Sequence, residues 1–294
     1  MNIINSPIEM QRISREHKKE NKTIVVVPTM GYFHNGHLNL VRKAKEIGDI
    51  VITTLFVNPK QFAPHEDFDR YPRDFERDKK LLEETGCDYL FSPDISEMYP
   101  LGFDTGITMG GITKVFEGES RPTHFDGVAL VVLKLFNITK ADYGIFGQKD
   151  YQQTLVIKKM VKDLNVDIEI IVNPTVRESN GLAMSSRNRY LNEIERENAS
   201  IIFLALEEAK KVIAKGERRR KIINSIVLST LRTIPEIKID YVAAVKADNL
   251  EPVDEFYPGD ELVILVACYI GKTRLIDNAV IKIPSSFVLD NAND

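Results

Sequence analysis

Cysteine is scarce in this chain, with two among 294 residues, at positions 87 and 268. Two cysteines cannot build a disulfide framework, which favours a reducing compartment such as the cytoplasm. Long apolar runs are missing too, because the stretches 128–132 and 262–268 are far shorter than a membrane span. The first twenty residues are charged and lack the apolar stretch of a signal peptide. We therefore expect a cytoplasmic protein that does not enter a membrane.

An excess of charge of one sign is also absent. The formal net charge is −4, with 28% charged and 43% hydrophobic residues. This balance supplies no broad basic field for a nucleic acid or an anionic membrane, so neither is expected as a partner. The locally basic run 218–221 is expected to be a solvated helix face. Length and composition suit one large domain or two modest ones.

The order of the predicted elements indicates fold class. In the first half, strand-like runs alternate with helical patterns, which predicts an α/β domain built on a parallel sheet. Past residue 173 two helices precede three strands, which predicts a smaller α+β domain. We place the boundary between domains 1–175 and 176–294. The predicted strands are 24–27, 50–57, 88–91, 143–146, 166–172, 238–245, 261–270 and 274–283, and the predicted C-terminal helices are 193–216 and 221–233.

The segment 28–37, Pro-Thr-Met-Gly-Tyr-Phe-His-Asn-Gly-His, lies between the first predicted strand and an amphipathic helix. A helix N-terminus offers free N–H groups and partial positive charge to an anion. Gly31 and Gly36 let a phosphate approach the backbone closely. His34 and His37 add two hydrogen-bond donors, so the segment predicts a nucleotide-phosphate site. A metal pair is the alternative, although no cysteine or third histidine lies nearby to complete a zinc site. Ordinary polar residues at a helix start are the other alternative.

Further polar residues follow the predicted strands. Asn58 and Gln61 come after the second strand, and Lys149 and Gln153 come after the fourth. Ligands of open parallel sheets bind beyond the carboxyl ends of the strands. We therefore expect these side chains at the same edge of the sheet as the two histidines.

The His-x-Gly-His pattern resembles the signature of the nucleotidyltransferase superfamily that includes class I aminoacyl-tRNA synthetases. The preceding Pro-Thr-Met-Gly narrows the resemblance to the pantoate–β-alanine ligase family. The segments 56–62, 146–153 and 181–188 resemble further motifs of that family and occur in its order. The resemblance extends over nearly the whole chain.

The resemblance implies a Rossmann-like N-terminal domain that binds nucleotide and pantoate, and a C-terminal domain that acts as a lid. It implies ATP-dependent condensation of pantoate with β-alanine through a pantoyl adenylate, which yields pantothenate, AMP and pyrophosphate. Mg²⁺ is expected to accompany ATP, partly held by the nucleotide itself. A homodimer is also implied, and the β-branched runs 50–52 and 263–266 are candidates for a sheet edge or face that it covers.

The residues with expected roles fall into three sets. Cations and donors at the phosphates are the expected catalytic groups, because adenylate formation needs alignment and charge stabilisation more than a base; they are His34, His37, Lys149 and Arg187. Further ATP contacts are expected from Pro28, Thr29, Met30, Gly31, Gly36, Gly147, Asp150, Val176, Met184, Ser185 and Ser186. Neutral amides suit the hydroxyls of pantoate, and the acceptor set is Gln61, Gln153, Asn58 and Met30. The protein ligands of Mg²⁺ stay open.

Two residues and two other functions also stay open. Arg121 and His124 could reach the site, or they could open a helix that begins near Val128. A nucleotidyltransferase with another acceptor would need extra basic residues in place of Gln61 and Gln153. An inactive domain that binds tRNA or a protein predicts broken motifs and a basic face. The motifs are intact and the net charge is −4, so the ligase ranks first.

Overall fold

The structure is a computed structural model that describes residues 1–64 and 66–284. The chain divides into two compact units, Met1–Val176 and Arg177–Asp294. Residues 285–294, the end of the predicted C-terminal domain, lie outside the described part.

Among the described residues, the first unit contains a six-stranded sheet whose strands all run parallel. This arrangement confirms the predicted α/β fold. The order is β1-β4-β3-β2-β5-β6, with β1 (Asn2–Ile4), β2 (Ile24–Thr29), β3 (Ile50–Leu55), β4 (Tyr89–Phe91), β5 (Tyr143–Gly147) and β6 (Glu169–Asn173). Strand β1 has no counterpart in the sequence prediction, because three residues are too few to display a period.

The part of the first unit that the structure describes contains seven helices. They are α1 (Pro7–Lys19), α2 (Asn35–Ile47), α3 (Phe75–Glu83), α4 (Ile95–Met98), α5 (Glu117–Ser120), α6 (His124–Thr139) and α7 (Tyr151–Asp163). Short 3-10 turns occupy Pro59–Gln61, Gly111–Lys114 and Gln148–Asp150. The expected start of α6 near Val128 is wrong by one turn. The apolar run begins at Val128, but backbone bonding starts earlier, where the Gly127 N–H donates to the Thr123 carbonyl.

The central strands β2 and β3 are apolar on both faces. Val25, Val27 and Val51 belong to the core on one face, and Ile24, Val26 and Ile52 belong to the core on the other. Helices on both faces of a parallel sheet require such continuous apolar strands. Strand β3, which contains the run 50–52, is therefore paired on both sides, and the edges of this sheet are β1 and β6. Of the two expected places, an edge or a face, the structure excludes the edge.

The second unit, over residues 177–284, is an antiparallel three-stranded sheet packed against helices. The strands β7 (Ile237–Lys246), β8 (Glu261–Ile270) and β9 (Thr273–Lys282) lie in that order. The helices are α8 (Glu193–Ala199), α9 (Ile201–Ala214) and α10 (Arg220–Leu231), after a 3-10 turn at Ser186–Tyr190. The run 263–266 lies in the central strand, so it is no sheet edge either. Over the described residues of the whole chain, no helix is long and apolar enough to cross a membrane.

Two local expectations for the second unit are wrong. The predicted helix 193–216 is two helices that meet at Ser200. The Ser200 hydroxyl donates to the Glu197 carbonyl at 2.6 Å, and the Ser200 backbone N–H donates to the same carbonyl, which interrupts the helical bonding there. Arg218 is not on a solvated face. It is buried, and its Nη1 donates to the Ile213 carbonyl at 2.6 Å.

Candidate active site

The turn that follows β2 has an unusual backbone that another element holds in place. Gly31 and Tyr32 both have positive φ angles, +81° and +52°. The buried carboxylate of Asp78, on α3, accepts the N–H groups of Tyr32 at 2.5 Å and Phe33 at 2.7 Å. Its neighbour Arg77 donates from Nη2 to the Phe33 carbonyl at 2.9 Å. Burial raises the pKa of Asp78 despite these bonds. The two side chains fix the turn that precedes the histidines.

The histidines lie at the start of α2, side by side. His34 is the N-cap residue, and its Nδ1 accepts the N–H of Gly36 at 3.1 Å. Since Nδ1 is an acceptor, the neutral His34 ring carries its proton on Nε2. The two ring centroids are 4.0 Å apart. Burial, followed by the charges of His34 and Lys149, lowers the pKa of His37 well below its usual value. His37 is therefore a neutral imidazole at pH 7, and its buried Nδ1 has no hydrogen-bond partner among the described residues.

Lys149 follows β5, which pairs with β2. Its Nζ lies 3.6 Å from Asp150 Oδ1, and its side chain is 19% exposed. Its positive charge contributes to lowering the pKa of His37, after burial and the charge of His34. Gly147, the last residue of β5, has no protein atom within 4 Å of where a Cβ would lie. The carboxyl ends of β2 and β5 thus bring together two imidazoles, one ammonium group and unfilled space.

Other predicted ATP contacts in this unit have structural bonds of their own. The Thr29 hydroxyl donates to the Thr54 carbonyl at 2.6 Å and accepts the Gly31 N–H at 3.2 Å. Pro28 is part of β2, in register with Thr54. These contacts join the end of β2 to β3, directly before the turn. Val176 is the last residue of this unit.

The predicted acceptor residues Met30 and Asn58 both contact a third one, Gln61. Asn58 and Gln61 are both buried, and Asn58 Nδ2 donates to Gln61 Oε1 at 3.1 Å. Gln61 Nε2 lies 3.1 Å from Met30 Sδ. This chain of contacts leads from β3 back to the turn after β2, so the structure brings these three residues together.

Arg121 and His124 hold the loop that carries Gln61. His124 Nδ1 lies 2.9 Å from the Gln61 carbonyl oxygen, and Arg121 Nη2 donates to the same oxygen at 3.3 Å. Arg121 also donates to both carboxylate oxygens of Glu66, at 2.5 and 2.8 Å. Burial, followed by the charge of Arg121, lowers the pKa of His124 to about 4. Although burial opposes it, the bond and charge of Arg121 lower the pKa of Glu66. Arg121 and His124 thus contact the backbone of the loop that carries Gln61.

The two adjacent glutamines of α7 differ in their surroundings. Gln153 is half-buried, and its side chain has no hydrogen-bond partner among the described residues. Gln152, which the sequence analysis did not single out, is buried. Its Nε2 donates to the carbonyls of Ile112 at 2.6 Å and Val115 at 2.8 Å. Gln152 therefore fastens the loop before α5.

The remaining predicted ATP residues, Met184, Ser185, Ser186 and Arg187, lie on one loop of the second unit. The Ser185 hydroxyl accepts the N–H of Arg187 at 3.2 Å and caps the 3-10 turn. Asn188 Nδ2 donates to the Ala183 carbonyl at 3.0 Å and to Glu178 Oε1 at 2.8 Å. The loop backbone therefore has a defined shape within its own unit. No group of three or more histidine, cysteine, aspartate or glutamate side chains suited to a metal ion occurs in the described residues.

Comparisons with known proteins identify the family. The model of the pantoate–β-alanine ligase family matches residues 2–280. A pantothenate synthetase of Caldicellulosiruptor saccharolyticus is 53% identical over 94% of this chain and 97% of its own length. A pantothenate synthetase of Acetivibrio thermocellus is 48% identical over 96% of this chain and 100% of its own length.

Solved structures agree. The pantothenate synthetase of Thermus thermophilus superposes with a TM-score of 0.89 at 40% identity, covering 97% of this chain and 100% of that one. The pantoate–β-alanine ligase of Francisella tularensis, in complex with β-γ ATP and β-alanine, gives 0.78 at 36% identity over 95% and 97%. The chain therefore belongs to the pantoate–β-alanine ligase family, the ATP-using ligases that make pantothenate.

Proposed function

We propose that this ligase makes pantothenate in two steps within one site. A carboxylate oxygen of pantoate attacks the α-phosphorus of ATP, the bond to the β-phosphate oxygen breaks, and pyrophosphate leaves. The amine of β-alanine then attacks the acyl carbon of the pantoyl adenylate. AMP leaves, the amine gives up a proton, and the amide of pantothenate remains.

The observation that carries the proposal is the meeting of His34, His37 and Lys149 beyond the carboxyl ends of β2 and β5. Because its pKa is lowered, His37 is a neutral N–H donor at pH 7. Lys149 supplies the positive charge. Together they would stabilise negative charge that spreads over the phosphates during attack. Pantoate is already ionised at this pH, so the first step needs no protein base.

The unfilled space at Gly147 and the backbone at Gly31 and Gly36 support a nucleotide phosphate beside these groups. A nucleotide phosphate beside Gly147 would occupy room that no protein atom fills. The turn at Gly31, the N-terminus of α2 at Gly36 and the Asp150 region complete this surface. Mg²⁺ would arrive with ATP, bound by its phosphates, and would neutralise their charge.

The acceptor acid would lie between Gln61 and Gln153. The two amides can bond hydroxyl and carboxylate oxygens without adding a charge. Met30, in contact with Gln61, offers an apolar surface to the gem-dimethyl group of pantoate. β-Alanine would approach from the Gln61 side, where its amine can reach the activated carbonyl.

The second unit would close over the bound nucleotide with Met184, Ser185, Ser186 and Arg187. Arg187 would provide a planar fork for phosphate. Closure would keep water away from the reactive adenylate. A homodimer in the cytoplasm completes the proposal; the free, buried thiols of Cys87 and Cys268 suit a reducing compartment.

Isotope exchange tests the two-step route. With ATP, Mg²⁺ and pantoate but no β-alanine, labelled pyrophosphate should enter ATP, because the first step is reversible. Addition of β-alanine should release AMP and pantothenate in equal amounts. Full activity with all three substrates but no exchange without β-alanine would contradict a free-standing adenylate step.

Small-angle scattering tests closure and assembly together. The mass should equal two chains over a range of concentrations, and the radius of gyration should fall when ATP and pantoate are both present. A mass of one chain would refute the dimer. An unchanged scattering curve with bound substrates would refute a large lid movement.

A further inference from the structure

Asn58 is buried, and the protein uses every hydrogen-bonding position of its side chain. Nδ2 donates to the Gly127 carbonyl and to Gln61 Oε1, both at 3.1 Å. Oδ1 accepts the Tyr99 hydroxyl at 2.8 Å and the Lys60 N–H at 3.3 Å. An amide has two donor hydrogens and two acceptor lone pairs, so none is left for a ligand.

Two of these partners decide which way the amide of Asn58 points. A backbone carbonyl can only accept, so Gly127 must face Nδ2. A backbone N–H can only donate, so Lys60 must face Oδ1. If the amide turned over, both bonds would become contacts between like groups in a buried place. The assignment therefore follows from the backbone.

The orientation of Asn58 determines that of Gln61. Since Asn58 Nδ2 donates to the Gln61 side chain, the accepting atom of Gln61 must be Oε1. Its Nε2 is then directed to Met30 Sδ, at 3.1 Å. Thioether sulfur is a weak acceptor, so a ligand oxygen can replace it at small cost.

We infer that Asn58 is a positioning residue that fixes Gln61 with its amide N–H₂ group toward the acceptor substrate, and that Tyr99 holds Asn58 in turn. The inference rests on the proposed placement of Gln61 at the acceptor acid. It sets the chemical class that this subsite takes: an oxygen that accepts, such as a carboxylate or a hydroxyl lone pair. A substrate analogue with an ammonium group in that position would face the N–H₂ group of Gln61, donor against donor, and bind more weakly.

The surroundings of Tyr99 suit a fixed donor. Its ring packs against Phe56 and Phe103, with centroids 6.0 and 5.2 Å apart. Lys60 Nζ and Lys134 Nζ lie 5.2 and 5.7 Å from the centre of its ring. Burial raises the pKa of the Tyr99 hydroxyl, which stays protonated and can donate to Asn58 at any ordinary pH.

The variant Asn58→Asp tests the inference with almost no change of shape. The introduced carboxylate cannot donate, so the Gln61 amide should turn over, donate to it and present Oε1 to the substrate. The KM for pantoate should rise roughly 5- to 150-fold, the value of a lost buried hydrogen bond. The KM for ATP should change by less than about twofold, because the proposed phosphate groups lie at His34, His37 and Lys149, which are not part of this network. Both are read from pyrophosphate exchange.

The pH profile distinguishes a change in the orientation of the Gln61 amide from a general structural effect of the substitution. When the introduced carboxyl is protonated it can donate again, so the ratio of pantoate KM values, variant over wild type, should fall as the pH is lowered. Other charges face this network: Lys60 and Lys134 at Tyr99, and Arg121, His124 and Glu66 at the Gln61 loop. They are present in both proteins, so the ratio removes their titration. A ratio that does not vary with pH would overturn the inference.

Tyr99→Phe tests the same inference if Asn58→Asp fails to fold. It removes one hydroxyl and keeps the ring packing, so circular dichroism should be unchanged. Asn58 keeps its two backbone anchors, so the pantoate KM should rise only about two- to tenfold, again without a change for ATP. Equal increases for both substrates, or none for pantoate, would overturn the inference.

Gln61→Ala separates this inference from the proposed function. If Gln61→Ala raises the pantoate KM but neither Asn58→Asp nor Tyr99→Phe does, the positioning role fails and the acceptor site stands. If Gln61→Ala leaves the pantoate KM unchanged, the placement of the acceptor site fails, and the inference falls with it.

Discussion

Acidification should loosen the loop that carries Gln61 through one buried histidine. His124 is 8% exposed, and its Nε2 lies 3.1 Å from Arg121 Nη1. Arginine can only donate, so Nε2 accepts, and the proton of the neutral ring lies on Nδ1 and bonds the Gln61 carbonyl. A second proton would place two cations in contact inside the protein. Burial and Arg121 therefore lower the pKa of His124 to about 4.

The size of the effect follows from the difference between the folded and unfolded pKa. An unfolded histidine titrates near 6.5, so the difference is roughly 2.5 units, which at about 1.4 kcal/mol per unit gives about 3.5 kcal/mol. Between these two values the unfolded chain binds more protons than the folded chain. The free energy of unfolding therefore falls as the pH decreases from about 6.5 toward 4, and the stabilisation is fully present above that window.

The matched variant is His124→Asn, whose amide can donate to the Gln61 carbonyl but does not titrate. Urea unfolding at pH 7 and pH 4.5, followed by a probe in the first unit, should show that wild type loses about 2–3 kcal/mol more than the variant. The comparison removes carboxylates such as Glu66, which both proteins share. NMR of ring-labelled histidine should show one signal, absent from the variant, that titrates far below 6.5. A normal titration, or equal losses in both proteins, would refute the reasoning.

Three further predictions concern the nucleotide side. Gly147→Ala should weaken ATP binding about tenfold or more, because the added methyl group would enter the space proposed for a phosphate. Its Tm should not fall, because a Cβ there meets no protein atom within 4 Å. Gly106→Ala, where a Cβ also meets nothing within 4 Å, is the control, and equal ATP affinities of wild type and Gly147→Ala would show that no ligand uses the space. Asp78→Asn should lower the free energy of unfolding by about 1–3 kcal/mol and slow pyrophosphate exchange, since one N–H of the turn loses its acceptor; exchange at the wild-type rate would mean that the turn holds its shape alone. Lys149→Ala and His37→Ala should each slow exchange by roughly 10²–10³-fold while Tm moves little; near-normal rates in both would exclude them from the first step.

Local pattern determined the parallel sheet and the segment that ends in His37. Apolar strands alternate with amphipathic helices, and both periods are readable within one element. The turn at 28–37 is equally local, because glycine, a helix start and two histidines lie within ten residues of one another. These features are written in neighbouring positions, so the sequence by itself was enough.

Only the tertiary structure decided which distant residues hold these segments in place. Asp78 holds the turn at Tyr32 from 46 positions away, and Arg121 bonds the loop of Gln61 from 60. Tyr99 and Gln152 act across similar separations. No local period encodes such a pair, because the polar partners meet only after the strand order brings their loops together. The sequence therefore predicted which side chains carry the chemistry, and the fold decided which others hold them and in what orientation.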